Sequence, residues 1–263
     1  MRIFNYWEEV SKELLIDNFK QVSKAYGGSN ISSENAILDG EARLDLAQNK
    51  IDGSTEHDYE VNIVEEIIHE VDEHNIVTRN RYGALVLNSK HLLFIDIDDY
   101  SRSFLGFFRK RVSNKEYMLK RIEKTATKTR YSSFGFRVYE TSKGYRVLVT
   151  NKDFDPRSRD TIDLMKDFNV DRIYMSLCIR QNCFRARLTP KPYRIRQKGI
   201  KVQYPHRSPE EEVKMQTWIS EYDEKSRKYS TCKLVSEFGT LSSDKVVSYH
   251  NEMTGIKHSR TLA

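Results

Sequence analysis

The sequence predicts an α+β protein in which helices cover an antiparallel or mixed β-sheet. From residue 81 onward, short segments with apolar residues at every second position indicate strands, and segments with helix-like spacing lie between them. Their order is strand, strand, helix, strand, strand, helix, strand, which lacks the regular βαβ alternation of a parallel sheet. Before residue 80 the spacing is mostly helical, so a helical N-terminal region is expected.

Two helices are predicted in the N-terminal region. Residues 6–25 and 61–74 carry apolar side chains at helix-like intervals, and Gly27-Gly28 is typical of the end of a helix. The polar stretch at 29–60 predicts a connection with one short helix.

The predicted sheet begins at residue 81. Residues 82–87 and 91–97 are predicted to form a hairpin, and a helix is expected from 114 to 127. The remaining predicted elements are strands at 133–140, 145–150, 171–179 and 184–188, a short helix at 160–168, a C-terminal helix from 209, and a last strand at 246–249.

The charge is distributed unevenly along the chain. Residues 1–80 carry 7 Lys and Arg against 17 Asp and Glu, whereas the remainder carries 37 against 21. This asymmetry suggests that the later part contacts a polyanion, or that the two parts attract each other. We therefore divide the chain into an acidic N-terminal region (1–80), a core (81–208) and a C-terminal extension (209–263).

Composition narrows the class of protein. The chain has 263 residues, 38% of them hydrophobic, and contains neither an apolar run long enough to cross a bilayer nor a secretory signal. Its three cysteines fit no disulfide framework and no zinc pattern. These features predict a cytoplasmic protein that does not associate with membranes.

An acidic cluster follows the predicted strand at 91–97. Because a strand alternates its faces, Asp96 and Asp98 should project from the same face, and two adjacent carboxylates commonly hold a divalent metal. The alternative is that these acids, with Asp99, begin a solvated turn. We favour a metal site at Asp96 and Asp98 and expect Asp99 to cap a helix.

A basic interval follows the predicted sheet. No Asp or Glu occurs from residue 172 to residue 209, where many Arg and Lys alternate with Tyr and Phe. This composition fits contact with nucleic acid or nucleotide phosphates, although a solvated basic face is the alternative. The strand at 184–188 should point Arg185 and Arg187 the same way, before a rigid Pro190-Lys191-Pro192 exit.

Three motifs in order resemble the archaeo-eukaryotic primase, or primase-polymerase, superfamily. They are FIDID at 94–98, ETSKGYRVLV at 140–149 and FRARLTPKP at 184–192. The resemblance implies an RRM-like sheet on which Asp96 and Asp98 bind catalytic Mg²⁺ or Mn²⁺. It also implies that the 140–149 hairpin holds nucleotide phosphate, and that a later strand adds another contact.

The resemblance thus implies a metal-dependent nucleotidyltransferase that acts on DNA or RNA in replication, with nucleic acid and nucleoside triphosphates as partners. The residues expected to bind phosphate are Ser142, Lys143, Arg146, Arg185, Arg187 and Lys191.

Two departures from the family pattern leave alternatives open. Arg146 stands where the family has histidine, and the third carboxylate is not fixed among Asp153, Asp155 and Asp171. A non-catalytic nucleic-acid-binding or replication-accessory protein on a degenerate primase-like scaffold is therefore one alternative. A metal-dependent nuclease or phosphohydrolase is another.

Overall fold

The computed structural model describes residues 1–54, 62–98 and 114–263. These residues form an α+β fold with two four-stranded and two two-stranded sheets, which confirms the predicted class. The strands are β1 (Tyr6–Ile16), β2 (Phe19–Ser29), β3 (Glu66–Asp72), β4 (Asn75–Arg79), β5 (Leu85–Ser89), β6 (Phe94–Asp98), β7 (Phe136–Thr141), β8 (Gly144–Val149), β9 (Phe184–Arg187), β10 (Tyr229–Ser230), β11 (Cys232–Phe238) and β12 (Thr261–Leu262). The helices are α1 (Ser33–Ile51), α2 (Asn114–Ala126), α3 (Arg159–Asp167), α4 (Arg172–Gln181), α5 (Pro209–Ser226) and α6 (Lys245–Met253).

The prediction of a helix at residues 6–25 is wrong. β1 and β2 form an antiparallel hairpin whose two turn residues, Asp17 and Asn18, both have positive φ. Asp and Asn tolerate this conformation, and a two-residue turn of this kind matches the twist of the two strands it joins. Gly27 does not end a helix. Its missing side chain lets α1 pack closely, because a Cβ there would lie 1.9 Å from the carbonyl oxygen of Ala36.

The prediction of a helix at residues 61–74 is also wrong. β3 occupies this region and pairs with β4 through a turn in which the Asp72 carboxylate accepts the backbone N–H of His74. The connection expected at 29–60 instead contains the 19-residue helix α1, whose N-cap Ser32 accepts the backbone N–H of Asn35. The N-terminal region is therefore mixed and not helical.

The hairpin predicted from residues 82–97 does not form, although both strands exist. β5 belongs to the sheet β3-β4-β5-β9, whereas β6 is the edge of the sheet β11-β7-β8-β6. The chain leaves the first sheet at Ser89, whose hydroxyl accepts the backbone N–H of Leu92. It then enters the second sheet at Phe94, so the acidic cluster lies on a different sheet from β5.

The elements from 114 to 188 are largely as predicted. α2, the β7–β8 hairpin, α3 and β9 are confirmed. The strand predicted at 171–179 is wrong, because Asp171 caps α4 by accepting the backbone N–H of Tyr174. In the C-terminal part α5 is confirmed. The strand predicted at 246–249 is wrong, because α6, capped by Asp244, lies there.

The two four-stranded sheets meet where β6 lies beside β9. Side chains fill the gap between their backbones: the Tyr174 hydroxyl is 2.7 Å from the carbonyl oxygen of Phe94 and 2.9 Å from that of Arg185. Farther along, Arg146 donates to the carbonyl oxygen of Arg187 at 2.9 Å. A single apolar cluster runs beneath both sheets, so the position of β6 relative to β9 is fixed by packing as well as by these bonds.

The predicted domain boundaries fall at specific points of this fold. Residue 80 lies in the turn between the paired strands β4 and β5, and the boundary at 208 and 209 coincides with the N-cap of α5. None of the described helices combines the length and the apolar character needed to cross a membrane.

Candidate functional site

The carboxylates Asp96 and Asp98 lie at the end of β6, on the same face of the strand. Ile95 and Ile97 alternate with them and are buried, Asp96 is half-buried and Asp98 is exposed. In the antiparallel register with β8, Asp96 lies opposite Arg146 and Asp98 lies opposite Gly144. The strand therefore leads from the core to an open rim, where the second carboxylate meets the β7–β8 turn.

Arg146 is buried and fully engaged. Its Nε and Nη2 donate to the two carboxylate oxygens of Asp96 at 2.7 and 3.1 Å. Only 1% of the Arg146 surface is exposed. Burial alone would lower the pKa of Arg146, but the Asp96 charge outweighs it and raises the pKa. Such a bidentate pair fixes both side chains. Arg146 thus holds Asp96 and, through its bond to the Arg187 carbonyl, the neighbouring strand.

His250 completes the buried side of this ion pair. It is fully buried on α6, with its Nε2 3.3 Å from Nη1 of Arg146. Burial, followed by the charge of Arg146, lowers the pKa of His250 to about 3. The imidazole is therefore neutral at pH 7 and adds no second positive charge beside the guanidinium.

Asp98 is the carboxylate available at the rim. Partial desolvation, followed by the charges of Asp96 and Asp171, raises the pKa of Asp98, and the charges of Lys191 and Arg194 oppose this shift. Asp171, one of the three candidates for a third carboxylate, is thus a neighbour of the acidic pair while it caps α4. The charges of two further acids and two cations therefore act on Asp98.

Arg187 supplies a cation without a carboxylate partner among the described residues. Its Nη1 donates a hydrogen bond to the carbonyl oxygen of Thr189 at 3.1 Å. Burial, followed by the charges of Arg146 and Arg194, lowers the pKa of Arg187 to about 10, and Asp96 opposes this shift. Arg187 still carries its charge at pH 7, and a half-buried guanidinium in this setting is stabilised by an incoming anion.

Helix α5 anchors the segment that carries the other cations. The Tyr222 hydroxyl lies 2.6 Å from the carbonyl oxygen of Pro190 and 2.8 Å from the hydroxyl of Thr189. A 3₁₀ turn over Pro192–Ile195 follows, with both terminal residues buried. Lys191 and Arg194 therefore project from a fixed backbone, as expected for a Pro-Lys-Pro exit.

The structure brings most of the predicted site residues together and separates one. Ser142 and Lys143 form the β7–β8 turn next to Asp98. Arg185 lies apart from this group, because its guanidinium donates to both carboxylate oxygens of buried Glu65, at 2.7 and 2.9 Å, and also to Gln181. We call the residues that do meet the acid–base cluster: Asp96, Asp98, Lys143, Arg146, Asp171, Arg187, Lys191 and Arg194.

The acidic N-terminal region contacts the basic part of the chain, as the charge distribution suggested. Besides the pair between Glu65 and Arg185, Glu66 accepts two hydrogen bonds from Arg207, the shorter at 2.8 Å. These contacts neutralise part of the basic interval but leave Lys191 and Arg194 at the rim, where no described carboxylate forms a direct ion pair with them.

Two members of the acid–base cluster were not selected from the sequence. Arg194 is one of many basic residues in the interval, and only the structure places its charge close enough to lower the pKa of Asp98. Asp171 is one of three acids that the resemblance leaves open as the third carboxylate. Its position before an amphipathic segment is a capping signal, and that signal would have placed it at the start of a helix.

Comparisons with known proteins identify no relative. No family model, no curated protein and no solved structure matches this chain. Within residues 1–54, 62–98 and 114–263, no group of three or more His, Cys, Asp or Glu side chains is arranged to hold a metal ion. Asp99, which we expected to cap a helix, lies outside the described residues.

Proposed function

We propose that the chain is a metal-dependent nucleotidyltransferase of the primase-polymerase type, acting on DNA or RNA. The observation that carries this proposal is the meeting of the carboxylate pair of β6 with cations from β9 and the Pro-Lys-Pro segment. Nucleotidyl transfer needs both: carboxylates that hold a divalent ion, and cations that bind the phosphates.

The arrangement of strands supports the RRM-like interpretation. The chain runs β6, α2, β7, β8, α3 with α4, and β9, which is the βαββαβ order of a split βαβ fold. β6 pairs with β8 at the edge of its sheet, and β9, the edge strand of the other four-stranded sheet, lies beside it. The acidic pair therefore lies where the two sheets meet, with Lys143 in the turn before β8 on one side and Arg187 of β9 on the other.

The carboxylates at the rim fit Mg²⁺ or Mn²⁺. Mg²⁺ is usually bound by one or two carboxylates together with water and substrate phosphates, so a cage of three protein ligands is not required. Asp98 is exposed and repelled by two neighbouring acids, a combination that a cation relieves. Asp96 keeps lone pairs on both oxygens beyond those that accept from Arg146.

The protein's own residues have separate tasks in this proposal. Asp98, with Asp96, would hold the ion, which supplies charge neutralisation and activation of the attacking 3′-hydroxyl. Arg187, Lys191 and Arg194 bind phosphate oxygens and offset the charge that develops on the leaving pyrophosphate. Lys143 adds a further positive charge from the β7–β8 turn. Arg146 positions Asp96 and is too deeply buried to bind substrate directly.

The ion pair between Asp96 and Arg146 favours a second candidate, a nucleic-acid-binding protein without catalysis. Both oxygens of Asp96 already accept from Arg146, so a metal gains less from this carboxylate than from an unpaired one. The cations of the cluster would bind a phosphate backbone equally well without a metal.

Primer extension and strand binding, measured on the same preparations, test both candidates. A labelled primer–template is incubated with Mg²⁺ or Mn²⁺ and all nucleotides, using wild type, Asp98→Asn and Asp153→Asn. Asp153 is an exposed acid beyond the opposite end of β8 and serves as the matched control. Extension that is lost only in Asp98→Asn supports the transferase.

The remaining outcomes decide between the candidates. No extension by wild type with either ion, together with salt-sensitive strand binding, favours the binding protein. No binding of strand or nucleotide by wild type refutes both. Cleavage of the labelled strand that depends on Asp98 would identify a nuclease instead.

A further inference from the structure

Tyr193 is a large aromatic ring held in solvent beside the acid–base cluster. Tyr193 is 63% exposed. Ile195, two positions later, is 3% exposed and packs in a small cluster with Tyr222. Pro192, immediately before it, is buried as well. Because buried Pro192 and Ile195 anchor the two ends of the 3₁₀ turn, the Tyr193 ring cannot fold back into the core without disrupting this packing.

The surroundings of the ring are cationic. The Arg194 guanidinium carbon lies 5.9 Å from the centre of the Tyr193 ring. Partial burial would raise the pKa of Tyr193, but the hydrogen bond and charge of Arg194, then the charges of Lys191 and Lys143, lower it. Lys191 and Arg194 are also the cations that act on Asp98. The ring therefore lies at the rim of the cluster, next to the proposed phosphate-binding groups.

An exposed ring between phosphate-binding cations has the chemistry of a stacking platform. Single-stranded nucleic acid is bound by grooves in which cations follow the backbone and aromatic rings stack on successive bases. A duplex keeps its bases stacked internally and offers no face to such a ring. The arrangement thus selects ligands with an unpaired base next to the bound phosphate.

We propose that Tyr193 stacks on an unpaired nucleobase of a single strand whose phosphates are bound by Lys191 and Arg194. This inference rests on the proposed function for the phosphate contacts and adds the substrate class: single-stranded nucleic acid, recognised at one base through its ring face. The stacking is tolerant of sequence, because each base presents a π-face.

The test compares two strands with the same phosphates, an oligothymidylate and an abasic oligonucleotide of equal length. Affinities are measured by fluorescence anisotropy for wild type, Tyr193→Ala, Tyr193→Phe and Phe19→Ala. Phe19, at the tip of the β1–β2 hairpin and 76% exposed, is the matched control for loss of an exposed ring. Wild type should bind the base-bearing strand more tightly than the abasic one.

Tyr193→Ala should weaken binding of oligothymidylate by about five- to 150-fold, the range for loss of one stacked base, and leave abasic binding unchanged. Tyr193→Phe and Phe19→Ala should bind like wild type. Equal wild-type affinity for the two strands, or equal losses in Tyr193→Ala, refutes the stacking role while the phosphate site stands. Loss of binding in Tyr193→Phe would show that the hydroxyl acts and not the ring. Failure of wild type to bind either strand removes the phosphate site and the stacking role together.

Discussion

The two carboxylates of β6 have opposite electrostatic surroundings, and Asn substitutions should separate them. Asp96 neutralises a buried guanidinium, whereas partial desolvation and then the charges of Asp96 and Asp171 disfavour the charge of Asp98. Asp96→Asn should therefore destabilise the protein at pH 7. Asp98→Asn should stabilise it, because the substitution removes a negative charge that the folded state holds unfavourably.

The magnitude for Asp96 follows from the burial of its partner. Arg146 is 1% exposed, and removing one member of a buried ion pair costs about 3–5 kcal/mol, since the other charge remains uncompensated. For a chain of this size each kcal/mol lowers Tm by about 2–4 °C, so Asp96→Asn should lower Tm by about 6–20 °C. Replacing the partner instead, in Arg146→Met, should also be destabilising, because it leaves the Arg187 carbonyl without its hydrogen-bond donor.

The sign for Asp98 depends on pH. Its pKa is raised in the folded protein, so its charge destabilises the fold above that pKa, and protonation relieves the strain as pH falls. The advantage of Asp98→Asn should therefore be largest at neutral pH and disappear in acid. Thermal unfolding of both variants at pH 7 and pH 4, followed by circular dichroism, measures this difference.

A double-mutant cycle isolates the ion pair. Urea unfolding of wild type, Asp96→Asn, Arg146→Met and the double variant gives the coupling energy, and the double variant should be more stable than the sum of the two losses predicts. Asp153→Asn is the control for removal of an exposed acid. A coupling energy below about 0.5 kcal/mol would contradict the structural role of Arg146. Equal effects of Asp96→Asn and Asp98→Asn would contradict it as well.

Three further predictions concern the scaffold of the site. Because the folded pKa of His250 is about 3, wild type should lose about 2 kcal/mol between pH 7 and pH 5, a loss that His250→Asn removes in urea titrations. Gly144→Ala should lower Tm and weaken strand binding, because its Cβ would lie 2.0 Å from the Ile97 carbonyl oxygen; an unchanged Tm would contradict this. Tyr222→Phe, which removes the donor to the Pro190 carbonyl, should cost about 1–3 kcal/mol and weaken binding of single strands in anisotropy measurements.

The N-terminal errors have a physical origin. β1 and β2 form a two-stranded sheet that packs mainly on α1 among the described residues, so few side chains are buried and the alternation is weak. Trp7 and Leu14 are buried, and their separation of seven matches two helical turns, whereas in a strand this odd separation places the two side chains on opposite faces. The decisive signal was local: Asp17-Asn18 is a two-residue hairpin turn.

Strand periodicity predicts which side chains of the site share a face of one strand, but not which residues they contact. Alternation along β6 and β9 correctly places Asp96 with Asp98, because that pattern is local. What each arginine contacts depends on partners far along the chain. Arg185 is held by Glu65, 120 positions earlier, so it is unavailable at the rim although it belongs to the same strand as Arg187. No spacing rule contains that information.

Arg146 links the chemistry of the site to its rigidity. One guanidinium holds the carboxylate of β6 and the backbone of β9, so the acids and Arg187 cannot separate without breaking the buried ion pair or the hydrogen bond to the Arg187 carbonyl. Under the proposed function this preorganisation would favour phosphate binding, because the cations need no rearrangement when a ligand arrives. It would also make Asp96 the weaker of the two proposed metal ligands. A divalent ion at this rim would then gain most from Asp98, and the replacement of Asp98 is the substitution that separates transferase from binding protein with the least damage to the fold.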